Sequence, residues 1–302
     1  MECRTEKGVR YLTSDAIEAE GSVNAFATRV GGVSGAPYDT LNFGVVSGDN
    51  PEGASRQRAL NMRRLGTALG VESLRCALVT QVHGNTVVKF DPTEEPESGA
   101  PTKTEALSKT EALAKIEADA IISATPSTAV GILTADCLPI LLFDPVTGAV
   151  GAVHAGWRGT YARIVVNAVE AMAKEYGSKS GNIRTALGPC IGPCCYTVQE
   201  EFYEKFLAAF GSSIDDSFKF VSESAGEGSE RSVAFDLQSA NKAQLLEAGV
   251  GPANIDLSGE CTSCNADLFF SYRRDVTSRG GSGTGRQLSM IMATASSDRR
   301  CV

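Results

Sequence analysis

Three apolar runs, residues 119–124, 129–144 and 149–154, constrain the fold most. Their apolar residues follow one another without the polar alternation of a half-exposed strand. Continuity of this kind belongs to strands covered on both faces. The middle run contains Pro139 and reads as two strands or as one bent at that proline. Shorter strands are expected at 22–28, 76–83, 86–90, 183–188, 254–257, 267–272 and 287–292, with a turn at Gly84-Asn85 joining the second and third.

Helical spacing appears between these runs. Thr160 is placed to cap a helix whose apolar residues Tyr161, Ile164, Val165, Ala168, Val169 and Met172 share a face, and Gly177 ends it. Residues 54–69 form a basic amphipathic pattern stopped by Gly70, and 198–210 align Phe202, Phe206 and Phe210. Asp236 caps a further helix over 237–248, ended by Gly249. Residues 211–231 read as polar loop. Residues 91–117 differ in character: Pro, Thr, Glu and Lys dominate, and KTEALS at 103–108 is nearly repeated by KTEALA at 109–114. That segment reads as a surface insertion with no core of its own. No linker divides the rest, so the expectation is one α/β domain, residues 1–302, around a mixed sheet.

A net charge of −8 and a pI near 5.0 argue against partners chosen by phosphate charge, such as nucleic acid or an anionic membrane. Residues 1–21 are charged and lack an apolar signal region, and the run at 129–143 is broken by Asp136 and too short to span a bilayer. The expected location is cytoplasmic. Nine cysteines then read as reduced thiols or metal ligands rather than as a disulfide framework.

The chain has only two histidines. His83 and His154 each end an expected strand beside small residues, and Cys137 follows Asp136 at the end or bend of another. Each could be a ligand at a cleft mouth, or a satisfied structural residue. Sequence spacing alone does not bring the three together.

The strings TQVHGNTV (80–87), GILTADCLPILLFDP (131–145), GAVHAGWRGT (151–160), LGPCIGPCCYTV (187–198) and FFSYRRD (269–275) resemble the YfiH/laccase-domain family, also called the multicopper polyphenol oxidoreductase or purine nucleoside phosphorylase family. TRVGGV (28–33), LNFG (41–44) and TGR (284–286) are similar to its terminal motifs, and the resemblance runs in order from about residue 25 to 292. The insertion, an enlarged 279–285 loop and extra cysteines depart from the pattern without touching a motif position. The resemblance implies a single-domain mixed α/β sandwich in which His83, Cys137 and His154 hold one metal. Zinc accepts this mixed nitrogen and thiolate set, with copper the alternative, and three ligands leave a catalytic position open.

The resemblance also implies phosphorolysis of purine nucleosides, with phosphate and nucleoside as small-molecule substrates. Arg29, Arg158 and Arg274 lie within motifs and are candidate oxyanion clamps, and Asn42 is a candidate for orienting ribose or base. Arg29 and Arg158 are assigned to catalysis beside the ligands, Asn42 and Arg274 to substrate binding. Zinc also lowers the pKa of bound water to about 7, chemistry suited to converting adenosine to inosine. Asp136 could support the neighbouring cysteine or serve as a cap.

Two other readings compete. A copper polyphenol oxidase of the multicopper kind needs many imidazoles, and two do not suffice. A cysteine or zinc amide hydrolase acting on peptidoglycan precursors would use Cys137 as nucleophile with a histidine base. The C-x3-C and C-x2-C spacings among Cys190, Cys194, Cys195, Cys261 and Cys264 raise a second metal site, but the first three fall in the GPCIGPCCY string, where a packed turn before a helix is expected. The Gly-rich 280–285 loop lacks the strand-before, helix-after setting of a dinucleotide motif. The preferred nucleoside and the oligomeric state stay open.

Overall fold

A computed structural model describes residues 1–18, 21–44, 51–92, 115–222 and 232–294. Most of the expected insertion, residues 93–114, and part of the expected 211–231 loop lie outside the described residues.

Strands β1–β15 and helices α1–α6 are numbered along the chain. One six-stranded sheet runs β1 (Glu2–Glu6), β2 (Val9–Thr13), β3 (Ser22–Ala27), β15 (Gln287–Ala293), β7 (Ala129–Thr134), β4 (Cys76–Ala77). A second runs β14 (Ile255–Leu257), β10 (Arg184–Leu187), β8 (Leu138–Phe143), β9 (Val150–Ala155), β6 (Ala120–Ser123), β5 (Val87–Lys89). A small sheet orders β11 (Thr197–Gln199), β13 (Ser232–Phe235) and β12 (Phe218–Ser222). The helices are α1 (Asp15–Glu18), α2 (Pro51–Ala68), α3 (Trp157–Tyr161), α4 (Ile164–Tyr176), α5 (Glu200–Phe210) and α6 (Leu237–Glu247).

The continuous apolar runs are explained by layering. Leu141 and Phe143 of β8 face Phe26, Ile132 and Ile291 of the other large sheet. Leu138, Ile140 and Leu142 of the same strand face Val165, Val169 and Met172 of α4 and Leu237 and Ala240 of α6. The outer face of the first sheet, with Tyr11, Leu288 and Met290, packs on Leu65 of α2. Helix, sheet, sheet and helix therefore stack, and the inner strands have no wet side. Truncating a ring such as Phe26, which is 1% exposed, would cost about 3–5 kcal/mol.

The second run is two strands, β7 and β8, which join different sheets, and its break falls at Asp136 rather than at Pro139. Pro139 sits within β8 opposite His154, while Asp136 has φ of +88°. The strands around Gly84-Asn85 do not form a hairpin: β4 joins one large sheet and β5 the other, so the chain crosses between sheets at His83. Thr160 is not a cap. It lies inside α3, its hydroxyl accepting a bond from Asn241 at 2.9 Å and its carbonyl one from Gln244 at 2.8 Å. Left-handed Arg163 starts α4, and left-handed Gly177 ends it as expected. Asp236 does cap α6, accepting the amides of Gln238 and Ser239.

Residues 267–272 are turns rather than a strand, because Gln287 satisfies the Phe270 amide at 2.9 Å and its carbonyl at 3.2 Å without a ladder. Within the polar 211–231 stretch, β12 pairs with β13, and the charged N-terminus forms the β1–β2 hairpin. Both strands are ones that polarity conceals. Among the described residues, no helix is long and apolar enough to cross a membrane.

Candidate metal centre

Three connections bring the candidate ligands together. His83 stands in the crossover between β4 and β5 with φ of +62°, Cys137 follows left-handed Asp136 in the β7–β8 turn, and His154 is near the end of β9. Two non-glycine residues in the left-handed region carry a cost of about 1–3 kcal/mol each, tolerated where the surroundings impose the conformation. The imposing group at His83 is Asp119. Its carboxylate accepts the His83 amide at 2.9 Å, together with the amides of Gly84 and Val82.

The donor atoms of His83, Cys137 and His154 lie within 4.8 Å of one another. Cys137 Sγ is 3.8 Å from His83 Nε2, and the imidazoles meet edge to face at 4.8 Å between centroids. A tetrahedral zinc with Zn–S near 2.3 Å and Zn–N near 2.0 Å would set sulfur and nitrogen about 3.5 Å apart, so the donor set fits the ion. Asp119 Oδ1 lies 2.8 Å from His154 Nδ1. That is the carboxylate–histidine arrangement that orients a metal-binding imidazole through its far nitrogen. Gly156 makes room: a Cβ there would stand 2.9 Å from Cys137 Sγ and 3.2 Å from His83 Cδ2.

Electrostatics make Cys137 and His154 a thiolate–imidazolium pair, whose imidazole proton a metal ion would have to displace. Burial would raise the Cys137 thiol, but the His154 charge and hydrogen bonds from both histidines outweigh it and bring it down to about 6. Burial would lower His154, yet the Cys137 charge and the Asp119 bond lift it to about 9. Cys137 is thus readily a thiolate, the ligand form.

The ligands open on a cleft of about 890 Å³ whose walls include Tyr38, Trp157, Tyr196, Tyr272, Arg273 and Arg286. The arginines singled out in the sequence fall elsewhere. Arg29 donates to the carbonyls of Asp39 (2.8 Å) and Ala266 (3.1 Å), with its guanidinium 4.7 Å over Phe270. Arg274 is buried and spends its guanidinium on Asp275, Thr262 and Phe269. Both are occupied by the protein itself, away from the cleft lining. Arg158 is exposed and lies 4.6 Å over the Trp157 ring, at the rim. Asn42 is buried, and its Oδ1 accepts the amides of Gly44 and Arg286, each at 2.8 Å. It therefore holds the chain that carries Arg286 rather than reaching into the cleft.

Asp119, Arg273 and Arg286 were missed by sequence reasoning. Arg273 lies in the FFSYRRD string and Arg286 in TGR, so the motifs carried that signal. Asp136, the other carboxylate considered, accepts Thr262 Oγ1 and the Arg273 amide, both at 2.6 Å, and ties loops together.

An α/β fold with two large sheets and a cluster of two histidines and one cysteine at a cleft define the class. Residues 23–294 match the family model described as multi-copper polyphenol oxidoreductase laccase. The chain is 34% identical over 281 residues to "Purine nucleoside phosphorylase YlmD" of Geobacillus stearothermophilus, covering 93% of each. It is 38% identical over 257 residues to "Purine nucleoside phosphorylase" of Deinococcus radiodurans, covering 85% of each. The crystal structure of Bacillus licheniformis hypothetical protein YfiH superposes with a TM-score of 0.78 at 27% identity, covering 97% of this chain and 99% of that one. The chain belongs to the YfiH/laccase-domain family.

Proposed function

We propose that the protein is a zinc-dependent purine nucleoside phosphorylase that also deaminates adenosine to inosine by hydrolysis. Adenosine, inosine, guanosine and methylthioadenosine are the candidate nucleosides. The observation that carries this reading is the sharing of one cleft by the His83–Cys137–His154 set, the cationic Arg273 and Arg286, and four aromatic side chains. The names of the relatives point the same way. In phosphorolysis a phosphate oxygen bonds to C1′ of the ribose, the C1′–N9 bond breaks, and the purine leaves with a proton. Arg286 and Arg273 would hold the dianion, and Tyr38, Trp157, Tyr196 and Tyr272 offer stacking faces to the base. His83, Cys137 and His154 would hold the zinc, which would supply there the Lewis acidity that hydrolytic deamination requires. Asp119, 2.8 Å from His154 Nδ1, would hold that imidazole in orientation for the metal. Copper is an alternative occupant of the triad, whereas a multinuclear copper oxidase is disfavoured by the count of two histidines in the chain.

A nucleoside panel, run with and without phosphate on zinc-loaded protein, tests the reading. Base release should require phosphate, and ammonia release from adenosine should not. No turnover of any purine nucleoside would defeat it.

Cys137, His154 and Asp119 are also ordered as nucleophile, base and orienting acid, the layout of a cysteine hydrolase. Iodoacetamide distinguishes the readings. A phosphorylase with metal-ligated Cys137 should be protected by zinc and lose both nucleoside activities once stripped and alkylated. A cysteine amide hydrolase would work metal-free and be inhibited by zinc.

A further inference from the structure

The packed turn expected at 190–195 is present, and it meets the loop that carries Cys261 and Cys264. Backbone pairing between Cys190 and Cys261, with Thr262 donating to the Cys190 carbonyl at 2.9 Å, locks residues 190–196 against 260–264. The sulfurs of Cys194, Cys195, Cys261 and Cys264 then converge within 4.8 Å of one another. Cys264 Sγ stands 3.5 Å from that of Cys194 and 3.4 Å from that of Cys195.

These separations are too long for a disulfide, whose sulfurs lie near 2.05 Å. They are close to the spacing of about 3.8 Å that a tetrahedral ion with Zn–S near 2.3 Å imposes. A polynuclear iron–sulfur cluster would hold its thiolates farther apart, around several irons. The backbone is shaped to suit. Gly192 donates its amide to Cys261 Sγ at 3.2 Å, and a Cβ on Gly192 would lie 3.4 Å from Cys194 Sγ and 3.2 Å from Cys261 Cβ.

We infer that Cys194, Cys195, Cys261 and Cys264 form a second metal site, a closed tetrathiolate centre for one zinc ion. With four protein ligands and no open position, its role is structural. Cys261 is already biased to the thiolate: burial raises it, but the Gly192 and Cys264 amides more than compensate. Burial pushes Cys194 up to about 11, and the neighbouring sulfurs push Cys264 up. A dication reverses that restraint, since ligating thiols bind deprotonated.

The site braces the catalytic side from behind. Thr262, next to Cys261, donates to Asp136 at 2.6 Å, and Ile191, beside Cys190, donates to the Asp136 carbonyl at 2.8 Å. Both cysteine loops therefore grip the left-handed residue that aims Cys137. The inference rests on sulfur geometry and is independent of the phosphorylase reading.

Metal analysis of full-length protein, purified with reductant and without added metal, tests it. Wild type should hold two zinc ions per chain. The His83→Ala/Cys137→Ala variant should keep one, and X-ray absorption should find only sulfur in its first shell. Cys194→Ser/Cys264→Ser should lose that ion while keeping the mixed nitrogen–sulfur one. If the cysteine variant is insoluble, the first variant still decides. Folded His83→Ala/Cys137→Ala protein without zinc, its cluster thiols titrating freely with Ellman's reagent, would overturn the inference. So would a mass deficit showing a disulfide among the four.

Discussion

Asp119 Oδ1 lies 2.8 Å from Nδ1 of His154, and the same carboxylate accepts the backbone amide of His83 at 2.9 Å. One buried side chain thus orients one imidazole and fixes the strained backbone of the other. Asp119→Asn preserves size but leaves an amide that cannot accept on both edges. It should weaken zinc binding about 10- to 100-fold, read by competition with a chromogenic chelator. Unchanged affinity would mean the triad is set by other contacts.

Gly156→Ala tests the space around the ligands. The new methyl would press on Cys137 Sγ, 2.9 Å from the Cβ position. Overpacking of this kind costs about 1–3 kcal/mol. Here the strain falls on the metal-binding geometry, so zinc content and both activities should drop while the circular dichroism spectrum holds. Full metal occupancy with normal turnover would show that the site relaxes freely.

The arginines should separate. Losing a charged hydrogen bond costs about 1.5–3 kcal/mol, so Arg286→Gln should raise the phosphate KM about tenfold to a hundredfold. Adenosine deamination, which needs no phosphate, should change little. Arg158→Ala should also harm phosphorolysis more than deamination, but its exposed rim position limits the loss to about 1 kcal/mol. Arg29→Ala should instead lower the melting temperature, because its bonds are to the protein. Steady-state kinetics in phosphate titrations check the first two and a thermal melt the third, and equal losses in both activities for Arg286→Gln would make that residue structural.

The contrast between Arg273 and Arg274 marks where sequence reading ran out. They are neighbours in one motif, yet Arg273 faces the cleft and Arg274 is buried on Asp275. A π-helical turn from Arg273 to Ser278 places them, and no periodicity announces such a turn. The layered core was legible because strands without a wet face cannot hide their composition. The convergence of His83, Cys137 and His154 within 4.8 Å was legible because the chain offers only two histidines, both in recognisable motifs. Asp119 was not, since its role depends on β6 pairing beside β9, where its carbonyl accepts the His154 amide at 2.7 Å. Tertiary register, not local pattern, brings its carboxylate to His83 and His154.

Asp91 anchors the start of the insertion, accepting bonds from Ser123 Oγ, the Ala124 amide, Thr125 Oγ1 and Tyr176 OH at 3.0–3.1 Å. Deleting residues 93–114 behind it, with a short Gly/Ser bridge, should leave fold and activity nearly intact, since loop length costs little entropy. Asp91→Ala should cost about 1–3 kcal/mol by stranding those donors. Burial raises the Asp91 carboxyl, but these bonds outweigh it and hold it below the usual carboxylate value. A depressed folded pKa means its stabilisation is complete above the unfolded value near 3.9 and is lost as pH falls through the folded one. Urea melts across pH 2–5 should show the wild type–Asp91→Ala gap closing on acidification. A gap independent of pH would count against the carboxylate.

In the proposed function, one metal set serves phosphate-dependent cleavage of a purine nucleoside. Its most direct test is inosine with phosphate, given to zinc-loaded wild type and to Cys137→Ala, with hypoxanthine and ribose 1-phosphate measured together. Wild type should give equimolar products only when phosphate is present, and folded Cys137→Ala should give none. Undiminished product formation by Cys137→Ala, or none by wild type at full zinc occupancy, would contradict it.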